Sequence, residues 1–438
     1  MSTADPIEPS SALLTDHYEL TMLQAALRSG AADRRCVFEV FARRLPPGRR
    51  YGVVAGTGRL LDALEAFSFD EAELSHLESA GVVDDVTLKW LREYRFSGSV
   101  WGYAEGDAFF PGSPVLVVEG TFAEAVLLET VVLSVLNHDS AVAAAASRMT
   151  VAAGSRPCIE MGSRRTHEQA AVAAARAAYV AGFAATSNLE AGRRHAVPTT
   201  GTSAHAFTLL HDDEPAAFAA QVASLGVGTT LLVDTYDVAV AVRTAVEVAG
   251  PGLGAVRLDS GDLLAQARAV RAQLDELGAT GTRIIVTSDL DEHAIAALAA
   301  APVDGYGVGT SVVTGSGAPT AGLVYKLVAR EGADGAMVGV AKRSADKATV
   351  AGRKWALRRR DTGGTARAEV VGLGEPPAGD RDDRPLLREL VAAGEVVGRE
   401  PLSDARERHL AARAELPPSA LQLSRGEPVI PTVYSTPA

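Results

Sequence analysis

The segment "AVRLDSGD" sets Arg257 and Asp259 two residues apart at the end of an apolar run, with Asp262 opening the stretch that follows. Residues two apart on a strand face the same side, so a guanidinium and a carboxylate can share one pocket. Arginine grips planar carboxylates or phosphates with two parallel hydrogen bonds, and aspartate suits ribose hydroxyls or a magnesium shell. The competing reading is an internal Arg–Asp salt bridge, with Asp262 as an ordinary helix cap. "VDTYD" and "VTSDLD" repeat the pattern and offer Asp234, Asp237, Ser288 and Asp289 at corresponding points. Either alone reads as helix capping; three acidic turns together read as a ligand-binding edge.

Further along, the glycines of "GYGVGTSVVTGSG" (305–317) free backbone N–H groups to approach an anion, with Thr310 and Ser311 following. This is neither a Walker loop nor a dinucleotide fingerprint. "GSRRTH" (162–167) adds Arg164 and Arg165, at least one of them open to solvent. "TTGTSAHAFTLL" sets His205 after a small-residue turn, where it reads either as a reactive imidazole or as an exposed or capping histidine. His211, His167 and His195 are weaker candidates on the same reasoning. No Ser-His-Asp order and no metal-ligand cluster accompanies these groups. Arginines, carboxylates and a glycine turn suit a phosphorylated sugar.

These residues need a scaffold that gathers them. From about Ser155 onward, short apolar segments, polar or glycine turns and Ala/Leu/Arg-rich helical stretches alternate seven times, the segments being 157–165, 182–188, 197–205, 230–237, 255–262, 283–291 and 303–311. The last four recur at the length of a strand, turn and crossover helix, which reads as a parallel α/β barrel or a doubly wound sheet. In both, ligands bind at the carboxyl ends of the strands, where the polar residues fall here. Upstream, 36–56 and 100–120 read as short strands flanking helices near 57–96, an α+β texture, and 121–154 reads as a long buried helix linking the two parts. Downstream, "GAMVGVAKRSADKATVAGRKWALRRR" suggests a hairpin, and "EPPAGDRDD" (375–383) a linker before a charged tail. The expected organisation is a disordered lead-in over 1–12, an N-terminal α+β part with its linking helix over 13–154, a barrel over 155–330 and a C-terminal extension over 331–438.

Length and composition agree with this layout. The chain has 438 residues, 47% hydrophobic and 22% charged, enough for one large domain with a smaller one appended. A net charge of -12 argues against a nucleic-acid partner, because phosphate-binding surfaces need a basic excess. No long unbroken apolar run suggests a membrane span. Cys36 and Cys158 are far apart and in no C-x-x-C arrangement, so a reducing cytoplasm is expected. The N-terminus lacks a basic region followed by an apolar run, so no export signal is read.

The motifs "LLTDHYELTM" (13–22), "FEVFARRLP" (38–46), "EMGSRR" (160–165), "GTSAHAF" (201–207), "VRLDSGD" (256–262), "GVGTSVVT" (307–314) and "YKLV" (325–328), in this order, resemble the nicotinate phosphoribosyltransferases. The resemblance extends from Leu14 to about Lys354. It implies an irregular, TIM-like α/β barrel with an α+β N-terminal domain that also receives C-terminal segments. It also implies a reaction of nicotinate with 5-phosphoribosyl diphosphate to nicotinate mononucleotide, within NAD salvage, coupled to ATP hydrolysis through a phosphohistidine, with Mg2+ and a homodimer. Carried over by position, His205 is the phosphorylated histidine and Asp259 a catalytic residue holding ribose or magnesium. Tyr18, Thr202, Arg257 and Arg164 are the nicotinate-side residues, with Tyr18 reaching across the dimer and Arg257 the counter-ion of the carboxylate. Asp234, Ser288, Asp289, Gly309 and Thr310 serve the phosphoribosyl diphosphate; no particular magnesium ligands are implied.

Alternatives remain. Nicotinamide-using relatives carry an aspartate where "ATSN" has Ser187, and a neutral serine favours the acid over the amide. A quinolinate phosphoribosyltransferase shares the fold but lacks the "GTSAH" motif and uses no ATP. A non-catalytic nucleotide sensor on the same scaffold is the third reading.

Overall fold

The computed structural model describes residues 10–342 and 349–435. The chain divides into two compact units, one formed by residues up to Ala141 together with those from Thr320 onward, the other by Val142–Pro319. The divisions fall at 141/142 and 319/320. Most of the expected lead-in, residues 1–9, lies outside the described residues. Its last three residues are docked: Ser10 Oγ donates to Ser68 O at 2.7 Å, and Ser11 and Ala12 are buried.

In the first unit, a seven-stranded antiparallel sheet runs in the order Met337–Gly339, Leu323–Glu331, Arg35–Ala42, Leu116–Thr121, Ser99–Tyr103, Leu387–Ala392, Glu395–Val396. The interior strand "RCVFEVFA" is rich in aromatic and β-branched residues and is buried beyond its first residue, as a strand paired on both sides requires. Its Glu39 is buried against Lys354 Nζ at 2.5 Å, since a buried charge needs a partner. Among the described residues of the expected hairpin over 335–360, the two strands do not pair with each other. Met337–Gly339 pairs with Leu323–Glu331, whereas Lys354–Arg360 pairs with Ala366–Leu373 in a separate four-stranded sheet; residues 343–348 lie outside the described residues. Beyond the 375–383 linker, the expected charged tail is built into this unit, with Leu387–Ala392 joining the large sheet and Thr432–Tyr434 the small one. Helices fill 57–65, 71–79 and 85–92. The expected linking helix is two, Phe122–Val126 and Glu129–Ala153.

The second unit is a six-stranded, wholly parallel sheet in the order Ala185–Thr186, Cys158–Glu160, Gly305–Val308, Arg283–Val286, Ala255–Leu258, Thr230–Leu232. Parallel neighbours require crossovers, and helices such as Val238–Ala249 and Leu263–Glu276 provide them. The strands are only two to four residues long, so each turns into its site-bearing loop at once. The third expected segment, 197–205, forms no strand: its contribution is a single parallel bridge, Thr186 to Thr199. "PTTGTS" carries little apolar surface to bury, and a strand there would expose what it has. The result is a curled, incomplete barrel. Among the described residues no helix is long and apolar enough to cross a membrane.

Candidate active site

The carboxyl ends of four neighbouring strands open into one cavity of about 230 Å³. Cys158–Glu160 leads into Met161, Arg164 and Arg165; Ala255–Leu258 supplies Arg257 and leads into Asp259; Arg283–Val286 leads into Thr287, Ser288 and Asp289; Gly305–Val308 supplies Gly307 and leads into Gly309 and Thr310. Three guanidinium groups and two carboxylates therefore meet in a chain whose overall charge is -12, and the local balance favours an anion.

Arg257 is held from both sides. Its Nη1 donates to Thr202 Oγ1 and its Nη2 to Ser203 O, each at 2.9 Å. Nε is buried without a partner. Burial lowers its pKa, and Arg164 pushes the same way against Asp259 and Asp234. An arginine so strained for counter-charge is set to receive a ligand carboxylate or phosphate.

Asp259 accepts from the Thr287 hydroxyl through Oδ1. Its Oδ2 lies 4.0 Å from His205 Nε2, with both side chains about two-fifths exposed. His205 is the first residue of the short helix His205–Leu210, and its Nδ1 lies 3.1 Å from Thr235 Oγ1. Asp234 lies just past the neighbouring strand Thr230–Leu232. Its Oδ2 accepts from the Asp259 N–H at 2.9 Å and the Ser260 hydroxyl at 2.7 Å, while Oδ1 is buried without a partner. It braces the next turn and does not line the cavity. Asp237 and Asp262 are helix caps, accepting from Val240 N–H and Ala265 N–H, so for them the capping reading holds.

Backbone shape matters at two places. Ser288 has φ +143°, a region that only glycine adopts without strain. Gly307 admits no side chain, because a Cβ there would fall 2.5 Å from Thr287 Cγ2 and 2.8 Å from Met161 Sδ.

Tyr18 is not among the cavity residues. It stands in the other unit, 43% exposed, on the helix His17–Ser29. Partial burial and then Glu129 raise its pKa. Glu129 also pairs with Lys326 Nζ at 3.3 Å, so the "HYEL" and "YKLV" motifs meet at one carboxylate. His211 bonds Phe207 O, and His167 caps the helix Glu168–Val180; neither lines the cavity. Sequence reasoning missed Thr235 and Thr287, each adjacent to a turn residue it singled out, because an isolated threonine carries no periodic signal.

A parallel α/β sheet whose carboxyl edge gathers arginines, carboxylates and a glycine turn around one cavity defines a barrel protein built for a phosphorylated ligand. Residues 13–137 match the N-terminal domain model of nicotinate phosphoribosyltransferase. The chain is 59% identical over 429 residues to nicotinate phosphoribosyltransferase pncB1 of Mycobacterium tuberculosis, covering 96% of this chain and 94% of that one. It is 39% identical over 363 residues to nicotinate phosphoribosyltransferase of Bacillus subtilis, covering 80% and 74%. The crystal structure of human nicotinic acid phosphoribosyltransferase superposes with a TM-score of 0.81 at 27% identity, covering 96% and 97%. The chain belongs to the nicotinate phosphoribosyltransferase family.

Proposed function

We propose that the protein joins nicotinate to 5-phosphoribosyl diphosphate, forming nicotinate mononucleotide and diphosphate in the salvage branch of NAD biosynthesis. The observation that carries this reading is the cavity itself, where Arg164, Arg165 and Arg257 face Asp259, Asp289 and the Gly309–Thr310 turn. The pyridine nitrogen forms a bond to C1 of the ribose as the bond from C1 to the diphosphate oxygen breaks. That nitrogen carries a lone pair and no proton, so no general base is required. Rate enhancement then comes from holding the two substrates in line and from balancing charge that builds on C1 and on the departing diphosphate.

Arg257, already steadied by Thr202 and Ser203, is the partner for the nicotinate carboxylate, with Arg164 beside it. Asp259 faces the ribose, and Ser288, Asp289, Gly309 and Thr310 hold the phosphate groups. Magnesium takes one or two carboxylates plus substrate phosphate oxygens. Asp259 and Asp289 on the cavity wall fit that donor set, and no group of three or more His, Cys, Asp or Glu gathers among the described residues to form an all-protein cage. Asp259 and Asp289 would hold a magnesium ion there, and it would neutralise charge on the diphosphate.

ATP hydrolysis is coupled through His205. With Nδ1 engaged by Thr235, Nε2 is the nitrogen left to attack the γ-phosphorus of ATP while neutral, releasing ADP; water then cleaves the N–P bond, freeing phosphate and restoring the imidazole. A second copy completes the site by contributing Tyr18. Support for a homodimer comes from Tyr18 itself and from Leu209, Leu210, Tyr236 and Val240, all exposed, since exposed apolar groups of this size mark association surfaces. Two buried free cysteines, Cys36 and Cys158, support a cytoplasmic location.

Incubation with γ-labelled ATP, Mg2+ and the two substrates tests the coupling. Acid-labile label on wild type, lost in His205→Ala, is the expected result. Label retained in His205→Ala would remove the histidine from the mechanism.

A further inference from the structure

Glu160 closes the strand Cys158–Glu160 and is fully buried, yet no step of the proposed reaction uses it. One carboxylate oxygen accepts the Gly162 N–H and the other the Thr186 hydroxyl. The same Thr186 oxygen accepts from Asn188 N–H at 2.9 Å, and Asn188 Nδ2 donates to Ser163 Oγ at 3.0 Å. The bonds form a closed ring that runs from Glu160 through Thr186 and Asn188 to Ser163 and back along Gly162.

That ring encloses the base of the turn carrying Arg164 and Arg165. On its other side the turn is pressed against the glycine turn. Met161 N–H donates to Val308 O at 2.8 Å, and a Cβ on Gly162 would fall 2.2 Å from Val313 Cγ1 and 2.9 Å from Gly309 O. Both arginines are exposed and line the cavity, so nothing in their own packing holds them. The peptide beneath them is the fixed part. Burial raises the pKa of Glu160, while the bonds from Thr186 and Gly162 draw it back down; a buried carboxylate of this kind is retained only where its acceptor capacity is needed.

We propose that Glu160 is a positioning residue for the phosphoribosyl diphosphate, setting the Arg164–Arg165 turn against the Gly309 turn before the substrate arrives. The proposal rests on the reading of the cavity as the phosphoribosyl diphosphate site. A turn ordered in advance spares the ordering cost at binding, so its loss weakens the anion more than the pyridine.

The test measures calorimetric Kd for inorganic diphosphate, and KM for each substrate separately, in wild type, Glu160→Ala, Glu160→Gln, Thr186→Val and Thr282→Val. Glutamine keeps the Gly162 bond through its carbonyl and meets Thr186 by a reversed bond, its amide donating to the hydroxyl oxygen while the hydroxyl proton turns away. Thr282 is buried and donates to Leu253 O before the opposite end of the sheet, so Thr282→Val reports lost stability alone. The expected result is a rise of about tenfold or more in diphosphate Kd and phosphoribosyl diphosphate KM for Glu160→Ala. Nicotinate KM should stay within about twofold, and Glu160→Gln within about threefold of wild type throughout. Thr186→Val should follow Glu160→Ala in direction, and it carries the test if the alanine variant does not fold. Unchanged Kd in Glu160→Ala or Thr186→Val, equal weakening of both substrates, or a glutamine variant no better than alanine would overturn the positioning role alone. Wild type binding neither diphosphate nor phosphoribosyl diphosphate would overturn the function and this role with it.

Discussion

Arg257 shows how far a pair of residues can be read from spacing alone. Its place beside Asp259 follows from strand periodicity, but the competing salt-bridge reading is settled only by geometry. Its two terminal nitrogens go to Thr202 and Ser203, and Asp259 goes to Thr287. Arg257→Lys keeps the charge and loses the fork. Hydrogen bonds to charged groups contribute about 1.5–3 kcal/mol, so nicotinate KM should rise about 10- to 100-fold in steady-state assays, with stability little altered. Ser288 behaves in the opposite sense. Its φ of +143° costs about 1–3 kcal/mol of strain that glycine would relieve. Ser288→Gly should therefore raise the thermal midpoint while lowering activity, the signature of strain retained for function. A variant that melts no later than wild type would show that the strain is absent. No sequence pattern announces a serine in a glycine conformation, because the surrounding fold imposes it.

At the scale of elements, the parallel strands and their capped helices were legible because each is short, apolar and followed by a turn of Asp, Ser or Gly. The 197–205 segment misleads because an apolar residue between polar turns resembles a strand until its neighbours compete for the sheet edge. The C-terminal extension was the least legible part, since its strands pair with partners hundreds of residues away, as Leu387–Ala392 does with Ser99–Tyr103. Its helix Leu402–Ala414 carries a prediction of its own. His409 is fully buried there, and burial, reinforced by Arg413, pulls its pKa down to about 4. Below about pH 6.5 the unfolded chain takes up a proton that the folded chain refuses. The stability from keeping His409 neutral is thus present above pH 6.5 and lost as pH falls through about 4, about 3 kcal/mol in all. Urea midpoints between pH 7.5 and 4.5 should fall more steeply in wild type than in His409→Gln; parallel slopes would show that the imidazole titrates normally.

For the whole molecule, the sequence pointed to the class of fold and to the cavity's arginines, carboxylates and glycine turn, because these lie at the ends of consecutive strands in one unit. Tyr18 belongs to a different unit, and only the resemblance connected it to nicotinate. If a neighbouring copy supplies Tyr18, co-expressed Tyr18→Ala and His205→Ala chains should regain about a quarter of wild-type activity, since random pairing leaves one intact site in half of the dimers. Activity no higher than either variant alone would mean that each chain is self-sufficient.

The central claim is that the cavity joins a pyridine carboxylate to a phosphoribosyl group. The most direct measurement follows mononucleotide formation by chromatography with nicotinate, nicotinamide and quinolinate in parallel, each with 5-phosphoribosyl diphosphate, Mg2+ and ATP. Nicotinate mononucleotide as the dominant product, with stoichiometric diphosphate and stimulation by ATP, is the predicted result. Equal or faster turnover of nicotinamide or quinolinate, or no mononucleotide from nicotinate, would contradict it.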